Sequence, residues 1–260
     1  MNYDITHIPS RIDKPRDKGI TMMMDKGLSV LQASEFVKSS GDFTDFVKLG
    51  FGTALITKDL DKKLDVYREG GIRPYFGGTL FEIFYMRGMF DEFRRYSSGY
   101  KLDLVEVSDG TIIMEHEKKL ECIRLLSEDF QVLSEVGSKI SGVVIPVERW
   151  TGMMKAELEA GSWKVIAEAR ESGTVGIYNA DGSANTGLVK DIADNIDPEL
   201  VIWEAPLKNQ QVYFIKLLGA NVNLGNIAPD DVLAMEALRL GLRGDTLTDF
   251  TGNTPGLQIP

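Results

Sequence analysis

Carboxylates and cations interrupt several short apolar segments in this sequence, at spacings that place them on common faces of an extended chain. The pairs two or four residues apart are Glu106 with Ser108, Glu135 with Lys139, and Glu168 with Arg170. Lys48 lies in the same way between Val47 and Leu49. Because side chains alternate across a strand, each pair points to one side of it. If those sides converge, the result is a site for charged small molecules.

Glycine and asparagine supply a second signal. Gly77-Gly78-Thr79 and Asn223-Leu224-Gly225-Asn226 are predicted to follow the third and eighth strands. Backbone N–H groups without a neighbouring Cβ can approach an anion closely, so Gly77, Gly78 and the second string are candidates for phosphate binding. A simple turn after a strand would contain the same residues.

The elements that must position these residues alternate between short β-rich segments and longer segments of helical period. The predicted strands are Gly19–Asp25, Phe46–Leu55, Ile72–Thr79, Leu102–Ser108, Gln131–Val136, Trp163–Ala169, Leu200–Ala205 and Asn221–Gly225. The predicted helices are Leu28–Ser39, Lys58–Glu69, Phe81–Tyr96, Met114–Glu128, Val147–Ala160, Gly187–Asn195, Lys208–Leu218 and Pro229–Leu240. Pro229 followed by two aspartates is typical of a helix start.

Strand and helix alternation predicts parallel strands with right-handed crossovers, and eight such units favour a closed (β/α)₈ TIM barrel over an open sheet. A dinucleotide-binding sheet would need a glycine-rich turn after its first strand, where this chain reads Asp25-Lys26-Gly27-Leu28. We expect one α/β domain over residues 1–260, with an N-terminal arm and a tail after Asp245. Barrel enzymes carry their active site at the carboxyl ends of the strands, where the charged residues are predicted to lie. A layer of mutually neutralising salt bridges would give the same pattern. Because burying an ion pair costs free energy, such a large number of buried charged residues indicates a function.

Composition excludes several classes of protein. Lys and Arg number 29 against 39 Asp and Glu, a net charge of −10, which opposes broad attraction to nucleic acid or to an anionic membrane surface. One cysteine and two histidines cannot form a disulfide framework or a multi-histidine zinc site. The first residues lack the apolar core of a signal peptide, and no run of about 18 apolar residues is present. We therefore expect a cytoplasmic protein.

Seven short strings, in order and in register, resemble the phosphosulfolactate synthase family over nearly the whole chain. They are Lys14-Pro15-Arg16, Lys48-Leu49-Gly50-Phe51-Gly52-Thr53, Gly77-Gly78-Thr79-Leu80-Phe81-Glu82, Glu106-Val107-Ser108-Asp109-Gly110, Ser134-Glu135-Val136-Gly137-Ser138-Lys139, Glu168-Ala169-Arg170-Glu171 and Asn223-Leu224-Gly225-Asn226. The resemblance implies a (β/α)₈ barrel that acts as a carbon–sulfur lyase, adding sulfite to phosphoenolpyruvate with Mg²⁺ to give (2R)-2-O-phospho-3-sulfolactate. This reaction belongs to coenzyme M or sulfolactate biosynthesis, and plant relatives associated with heat stress share the motifs.

The resemblance also implies roles for individual residues. Both substrates are anions and the protein as a whole is negatively charged, so cationic side chains must make the electrostatic potential positive at the site. The candidates are Lys14, Arg16, Lys48, Lys139 and Arg170. Glu106 and Glu135 are the first candidates for Mg²⁺ ligands, and Glu168 and Asp109 are the second candidates. Lys139 is the expected proton donor to C2, while Arg170 and Lys48 complete the catalytic set. Gly77, Gly78, Ser108, Asn223, Gly225 and Asn226 are expected to bind substrate.

Two other functions remain open at this point. A stress-associated barrel protein could keep the scaffold and bind a client or metabolite without turnover. A different phosphate-handling lyase, such as an aldolase with a Schiff base on Lys139 or Lys48, could also use the carboxyl end of the barrel, which we call the mouth. A homo-oligomer is compatible with all three readings.

Overall fold

Eight parallel strands alternate with helices in a nearly closed barrel. The computed structural model describes residues 2–137, 145–170 and 172–250. The strands are β1 (Thr21–Asp25), β2 (Phe46–Leu49), β3 (Arg73–Phe76), β4 (Leu104–Val107), β5 (Gln131–Val136), β6 (Ser162–Ala167), β7 (Val201–Glu204) and β8 (Leu224–Ile227). The predicted (β/α)₈ TIM barrel is confirmed.

Helices cover the outside of this barrel. They are α1 (Val30–Ser40), α2 (Leu60–Glu69), α3 (Gly78–Tyr85), α4 (Phe90–Gly99), α5 (His116–Ser127), α6 (Val147–Glu159), α7 (Thr186–Asn195), α8 (Lys208–Leu218), α9 (Val232–Arg239) and α10 (Leu247–Phe250). A buried apolar layer between helices and strands contains residues such as Val105, Val165 and Phe214. Within the part of the chain described, none of these helices combines the length and the apolar character that a membrane span requires.

The strands are hydrogen-bonded in the order β3-β2-β1-β8-β7-β6-β5-β4, so β3 and β4 are the two ends of the sheet. Side chains tie these ends together at both rims of the barrel. At the amino end Arg73 Nε lies 3.0 Å from Asp103 Oδ2. At the carboxyl end the Gly78 N–H donates to Glu106 Oε1 at 2.6 Å. The join between β3 and β4 therefore reaches the predicted site.

A period of two along the strands separates an apolar layer in the barrel interior from a polar layer above it. The apolar layer takes residues from seven strands: Met22, Phe46, Tyr75, Leu104, Leu133, Ile166 and Ile202. Two positions further along the chain, in the strands or just after them, stand Met24, Lys48, Gly77, Glu106, Glu135, Glu168 and Glu204. Because alternate residues share a face, a packed apolar floor places the charged layer at the mouth.

The structure corrects four predicted elements. The predicted helix Phe81–Tyr96 is two helices, α3 and α4, because Gly88 takes a left-handed φ of 66° between them. The second and third strands end earlier than predicted, at Leu49 and Phe76. The last strand is Leu224–Ile227 rather than Asn221–Gly225, so Asn226 lies inside β8 and not in a loop after it.

Candidate active site at the carboxyl end of the barrel

The centre of the mouth is one ammonium group surrounded by carboxylates. Lys48 Nζ lies 2.9 Å from Glu106 Oε1, 3.2 Å from Glu204 Oε1 and 3.3 Å from Glu135 Oε2. All four side chains are buried. They come from β2, β4, β5 and β7, so the cluster requires the closed barrel and no local segment can form it.

The electrostatics of this cluster keep Lys48 charged. Burial alone would lower the pKa of Lys48, but the charges of Glu106, Glu204 and Glu135 outweigh burial and hold that pKa well above its usual value. An amine must lose its proton before it can attack a carbonyl group. The geometry therefore disfavours Lys48 as a Schiff-base lysine and favours it as a permanent positive charge.

Backbone groups fix the carboxylates around Lys48. The Gly78 N–H donates to Glu106, as described, and the Ala169 N–H donates to Glu204 Oε2 at 2.7 Å. Burial, partly opposed by Lys48, raises the pKa of Glu106. Gly78 is glycine for a steric reason, since a Cβ there would lie 2.7 Å from Glu106 Oε1. Gly77 is similarly close to Lys48, with a Cβ position 3.0 Å from Cε.

A cavity of about 260 Å³ opens above this cluster. Its lining residues are Met24, Lys48, Gly50, Phe51, Gly77, Thr79, Glu106, Thr111, Ala169, Glu204 and Asn226. Phe51 has a left-handed φ of 55°, an unusual conformation for an aromatic residue, and it lies between Gly50 and Gly52 at the entrance. The cavity thus combines a buried cation, carboxylates and apolar walls.

The loop after β6 carries a second cation, Arg170, next in sequence to a residue that lines the cavity. Arg170 follows the cavity-lining Ala169, is partly exposed, and its guanidinium makes no hydrogen bond or ion pair with another described residue. Glu168 is buried next to Gly137, where a Cβ would lie 2.5 Å from Glu168 Oε2. Lys139, the predicted proton donor, lies outside the described residues.

Two predicted site residues at the end of β4 are committed to other partners. The Ser108 hydroxyl donates to Glu82 Oε1 at 2.6 Å, and Thr111 also donates to Glu82 through its hydroxyl and its N–H. Asp109 Oδ1 lies 2.8 Å from Lys119 Nζ, a lysine of α5. Ser108 and Asp109 therefore contact Glu82 and Lys119 and do not line the cavity.

Asn226 reaches the cavity by a local departure from strand geometry. Its φ is 57°, its Nδ2 lies 3.4 Å from the carbonyl oxygen of Ala169, and its buried Oδ1 has no hydrogen-bond partner among the described residues. The neighbouring Gly225 packs in the interior, where a Cβ would lie 2.5 Å from Met22 Cε. Asn226 is thus placed to contact a ligand, whereas Gly225 serves packing.

Lys14, Arg16 and Asn223 lie at the opposite, amino end of the barrel. Lys14 Nζ donates to the carbonyl oxygens of Gly41 and Thr44, which precede β2. Asn223 donates to the carbonyl oxygens of Glu199 and Val201 at the start of β7. The structure therefore does not bring these three residues to the mouth, because the N-terminal arm runs under the barrel and Asn223 precedes β8.

Arg16 provides a test of that placement. Its Nε lies 2.8 Å from Asp45 Oδ1, and both side chains are buried. Arg16→Met leaves the Asp45 carboxylate without its cation, so we expect a loss of about 3–5 kcal/mol in the free energy of unfolding, measured in urea. Any catalytic efficiency (kcat/KM) of the folded protein should change less than about threefold. Arg95→Met, which removes an exposed pair with Glu92, is the control and should cost less than about 1 kcal/mol. A large fall in kcat/KM without loss of stability would return Arg16 to the active site.

The described residues do not form a site for a resident divalent ion. The two first candidates for ligands, Glu106 and Glu135, face the ammonium of Lys48, while Asp109 pairs with Lys119. Within residues 2–137, 145–170 and 172–250, no three His, Cys, Asp or Glu side chains are arranged to hold a metal ion. In this arrangement Lys48 takes the central position that a bound cation would need.

The sequence analysis assigns no role to Glu204, Phe51 or Lys119. The signal for Glu204 was present, since it stands two positions after the interior Ile202 in a strand. Phe51 carries a weaker signal in its flanking glycines. Nothing in the local sequence identifies Lys119, because it lies on a helix and its partners belong to other elements.

Solved structures with this architecture share little sequence with the chain. 3-Hexulose-6-phosphate synthase matches with a TM-score of 0.55 and 14% identity, covering 85% of this chain and 98% of that one. 3-Keto-L-gulonate-6-phosphate decarboxylase from Vibrio cholerae matches with a TM-score of 0.54 and 10% identity, covering 90% and 99%. At this level of identity the likeness concerns the fold alone.

Sequence comparison is more specific. The chain is 41% identical over 249 residues to phosphosulfolactate synthase of Bacillus subtilis, covering 95% of this chain and 99% of that protein. It is 41% identical over 246 residues to phosphosulfolactate synthase of Methanothermobacter thermautotrophicus, covering 92% and 95%. A sequence model of the (2R)-phospho-3-sulfolactate synthase family, ComA, matches residues 9–245. The chain therefore belongs to the (2R)-phospho-3-sulfolactate synthase family.

Proposed function

We propose that this protein adds sulfite to phosphoenolpyruvate at the cavity above Lys48, giving (2R)-2-O-phospho-3-sulfolactate. The observation that carries the proposal is the family match over residues 9–245. The position of the cavity supports it, because it lies at the carboxyl ends of the strands, where barrel enzymes act. In the reverse direction the reaction breaks a carbon–sulfur bond, which makes the enzyme a lyase.

The chemistry needs positive charge at one place and exclusion of water around it. The sulfur lone pair of sulfite forms a bond to C3 of phosphoenolpyruvate, and the electrons of the double bond move towards the substrate carboxylate. Lys48, held protonated and almost without exposure, is suited to stabilise that enediolate charge, because a fixed charge in a buried site is worth more than in water.

A proton must then reach C2, while the phosphate ester stays intact. The proposed donor is Lys139, and a placed acid of this kind contributes about 10²–10⁴ in rate. The other large contribution to the rate comes from holding the two anions at reacting distance. Sulfite is already a good nucleophile, so it needs positioning and not activation. Asn226 lines the cavity, and its buried Oδ1 has no hydrogen-bond partner among the described residues, so this side chain is suited to orient one of the substrates or a water.

Arg170 is the proposed partner of the phosphate or carboxylate group. A guanidinium with no partner among the described residues can form two parallel hydrogen bonds to such an anion. We expect Arg170→Gln to raise the KM for phosphoenolpyruvate about tenfold to a hundredfold, with unchanged stability, because a charge-assisted hydrogen bond is worth about 1.5–3 kcal/mol. Steady-state kinetics with each substrate varied in turn measure the effect. An unchanged KM would remove Arg170 from substrate binding.

Magnesium dependence stays a prediction of the family resemblance. Among the candidate ligands, Glu106 and Glu135 face Lys48 and Asp109 pairs with Lys119, so magnesium binding should be measured directly. Calorimetric titration of Mg²⁺ into the protein, alone and then with phosphoenolpyruvate, separates an ion bound by the protein from one that requires substrate. Turnover with Mg²⁺ and with excess chelator then tests the dependence itself.

The proposed function is tested by incubating the protein with phosphoenolpyruvate and sulfite, with Mg²⁺ present, and identifying the product by mass spectrometry and ³¹P NMR. The expected result is a stable phosphate ester that contains sulfur, formed in the R configuration. Absence of turnover with a correctly folded protein would favour the non-catalytic stress-associated reading. Borohydride trapping of a carbonyl substrate on the protein would instead indicate a Schiff-base aldolase. Cytoplasmic location and homo-oligomerisation stay predictions.

A further inference from the structure

A second buried lysine lies behind the mouth, outside the cavity. Lys119 is on α5 and is fully buried. Its ammonium contacts three oxygens: Asp109 Oδ1 at 2.8 Å, the carbonyl oxygen of Glu135 at 2.6 Å, and Glu157 Oε1 at 2.9 Å. These partners belong to the loop after β4, to the end of β5 and to α6. One side chain therefore joins four elements of the barrel.

The contacts of Lys119 are held by charge. Burial alone would lower the pKa of Lys119, but Glu157 and Asp109 outweigh it and raise that pKa above its usual value. Burial would raise the pKa of Glu157, but Lys119 and a hydrogen bond from His116 outweigh burial and lower it. Burial raises the pKa of Asp109 and Lys119 offsets this only in part. Lys119 and Glu157 favour their charged forms, so deprotonation of the lysine near neutral pH does not loosen the junction.

The junction meets the active site at a single residue, Glu135. Lys119 holds the backbone carbonyl of Glu135 from the helix side, while the Glu135 carboxylate lies 3.3 Å from Lys48 on the cavity side. Asp109, held by the same ammonium, follows Ser108 at the end of β4, which carries Glu106. Two of the three carboxylates around Lys48 thus stand on strands whose ends Lys119 ties together.

We propose that Lys119 is a positioning residue for the reaction, which sets the end of β5 and the loop after β4 so that Glu135 and Glu106 hold Lys48 in its working position. The inference rests on the proposed function, since it assigns Lys119 to that reaction. Lys119 does not line the cavity, so its loss should affect the rate of the chemical step more than substrate binding. A shift of about 1 Å in a reacting geometry can cost about a hundredfold in rate.

The test compares Lys119→Met with Lys164→Met. Lys164 is also a buried lysine that donates to a backbone carbonyl, that of Glu199 at 2.7 Å, but it lies at the amino end of the barrel. We expect Lys119→Met to lower kcat about 30- to 100-fold, with the KM for phosphoenolpyruvate changed less than about threefold. Lys164→Met should change kcat less than about threefold. Equal values of kcat in the two variants would overturn the inference.

Two further measurements keep the test decisive. If Lys119→Met does not fold, Lys119→Met/Glu157→Met removes the fully buried carboxylate as well and leaves Asp109, which is 13% exposed and can reach water. Hydrogen exchange of residues 131–137 should be at least about tenfold faster in the Lys119 variant than in Lys164→Met, because β5 loses its fixed end. Unchanged exchange would overturn the inference, whether or not the wild type is active with sulfite. An inactive wild type with the expected faster exchange in the Lys119 variant would instead count against the proposed function alone.

Discussion

Lys48→Met should lower kcat/KM for the addition of sulfite to phosphoenolpyruvate by about 10³-fold or more, the largest effect expected of any single replacement at the mouth. The variant loses the only cation within the carboxylate cluster of the described residues, and with it the charge that stabilises the enediolate. Loss of one preorganised electrostatic group typically costs about 10²–10³ in kcat, and here substrate binding suffers as well. Initial rates at varied substrate concentrations measure it.

The same variant should be less stable, by about 3–5 kcal/mol at neutral pH, because three buried carboxylates lose their partner. Burial already raises the pKa of Glu106, and without Lys48 that pKa should rise further. A carboxyl group with a raised folded-state pKa stabilises the fold at low pH and loses that contribution as pH rises. The deficit in urea denaturation should therefore be smaller at about pH 5.5 than at about pH 8. Full activity, or a deficit that grows as pH falls, would contradict the assigned role.

The second large effect is expected from a single methyl group. In Gly78→Ala the new Cβ would lie 2.4 Å from Ser108 Oγ and 2.6 Å from Ser108 Cβ, distances that force the start of α3 or the end of β4 to move. The Gly78 N–H that holds Glu106 would move with it. We expect kcat/KM to fall about 10²-fold and the free energy of unfolding to fall by about 1–3 kcal/mol.

Gly99→Ala is the matched control for that variant. Gly99 also belongs to a helix, α4, and a Cβ there meets no atom within 4 Å. Because alanine favours a helix over glycine by up to about 1 kcal/mol, this variant should be as active as the wild type and equally or more stable. If Gly78→Ala behaved like Gly99→Ala, close packing at the mouth could not be a condition of activity.

The order of elements and the inward carboxylates could be predicted from the sequence, because both follow from local periodicity. A charged residue two positions after an interior apolar residue must point to the same side, which identifies Glu106, Glu135 and Lys48 from sequence alone. The partner of each charge is set by the closed barrel. Nothing in the string around Asp109 reveals that Lys119 neutralises it, or that Lys48 lies between the carboxylates.

The other differences have similarly physical origins. Glycine and asparagine rarely occur in strands, so the sequence predicts that the strand ends at Gly225. In the structure β8 continues to Ile227, with Asn226 in a left-handed conformation within it. The N-terminal arm contains no periodicity that shows which end of the barrel it covers. Its ion pair between Arg16 and Asp45 settles the question, because Asp45 stands at the start of β2.

A structure determined with phosphoenolpyruvate bound tests the central claim most directly. We expect the ligand to occupy the cavity at the carboxyl end, with its carboxylate or phosphate oxygens within about 4 Å of Lys48 Nζ and contacting the Arg170 guanidinium. Phosphoenolpyruvate bound instead at the amino end, beside Lys14 and Arg16, would contradict it.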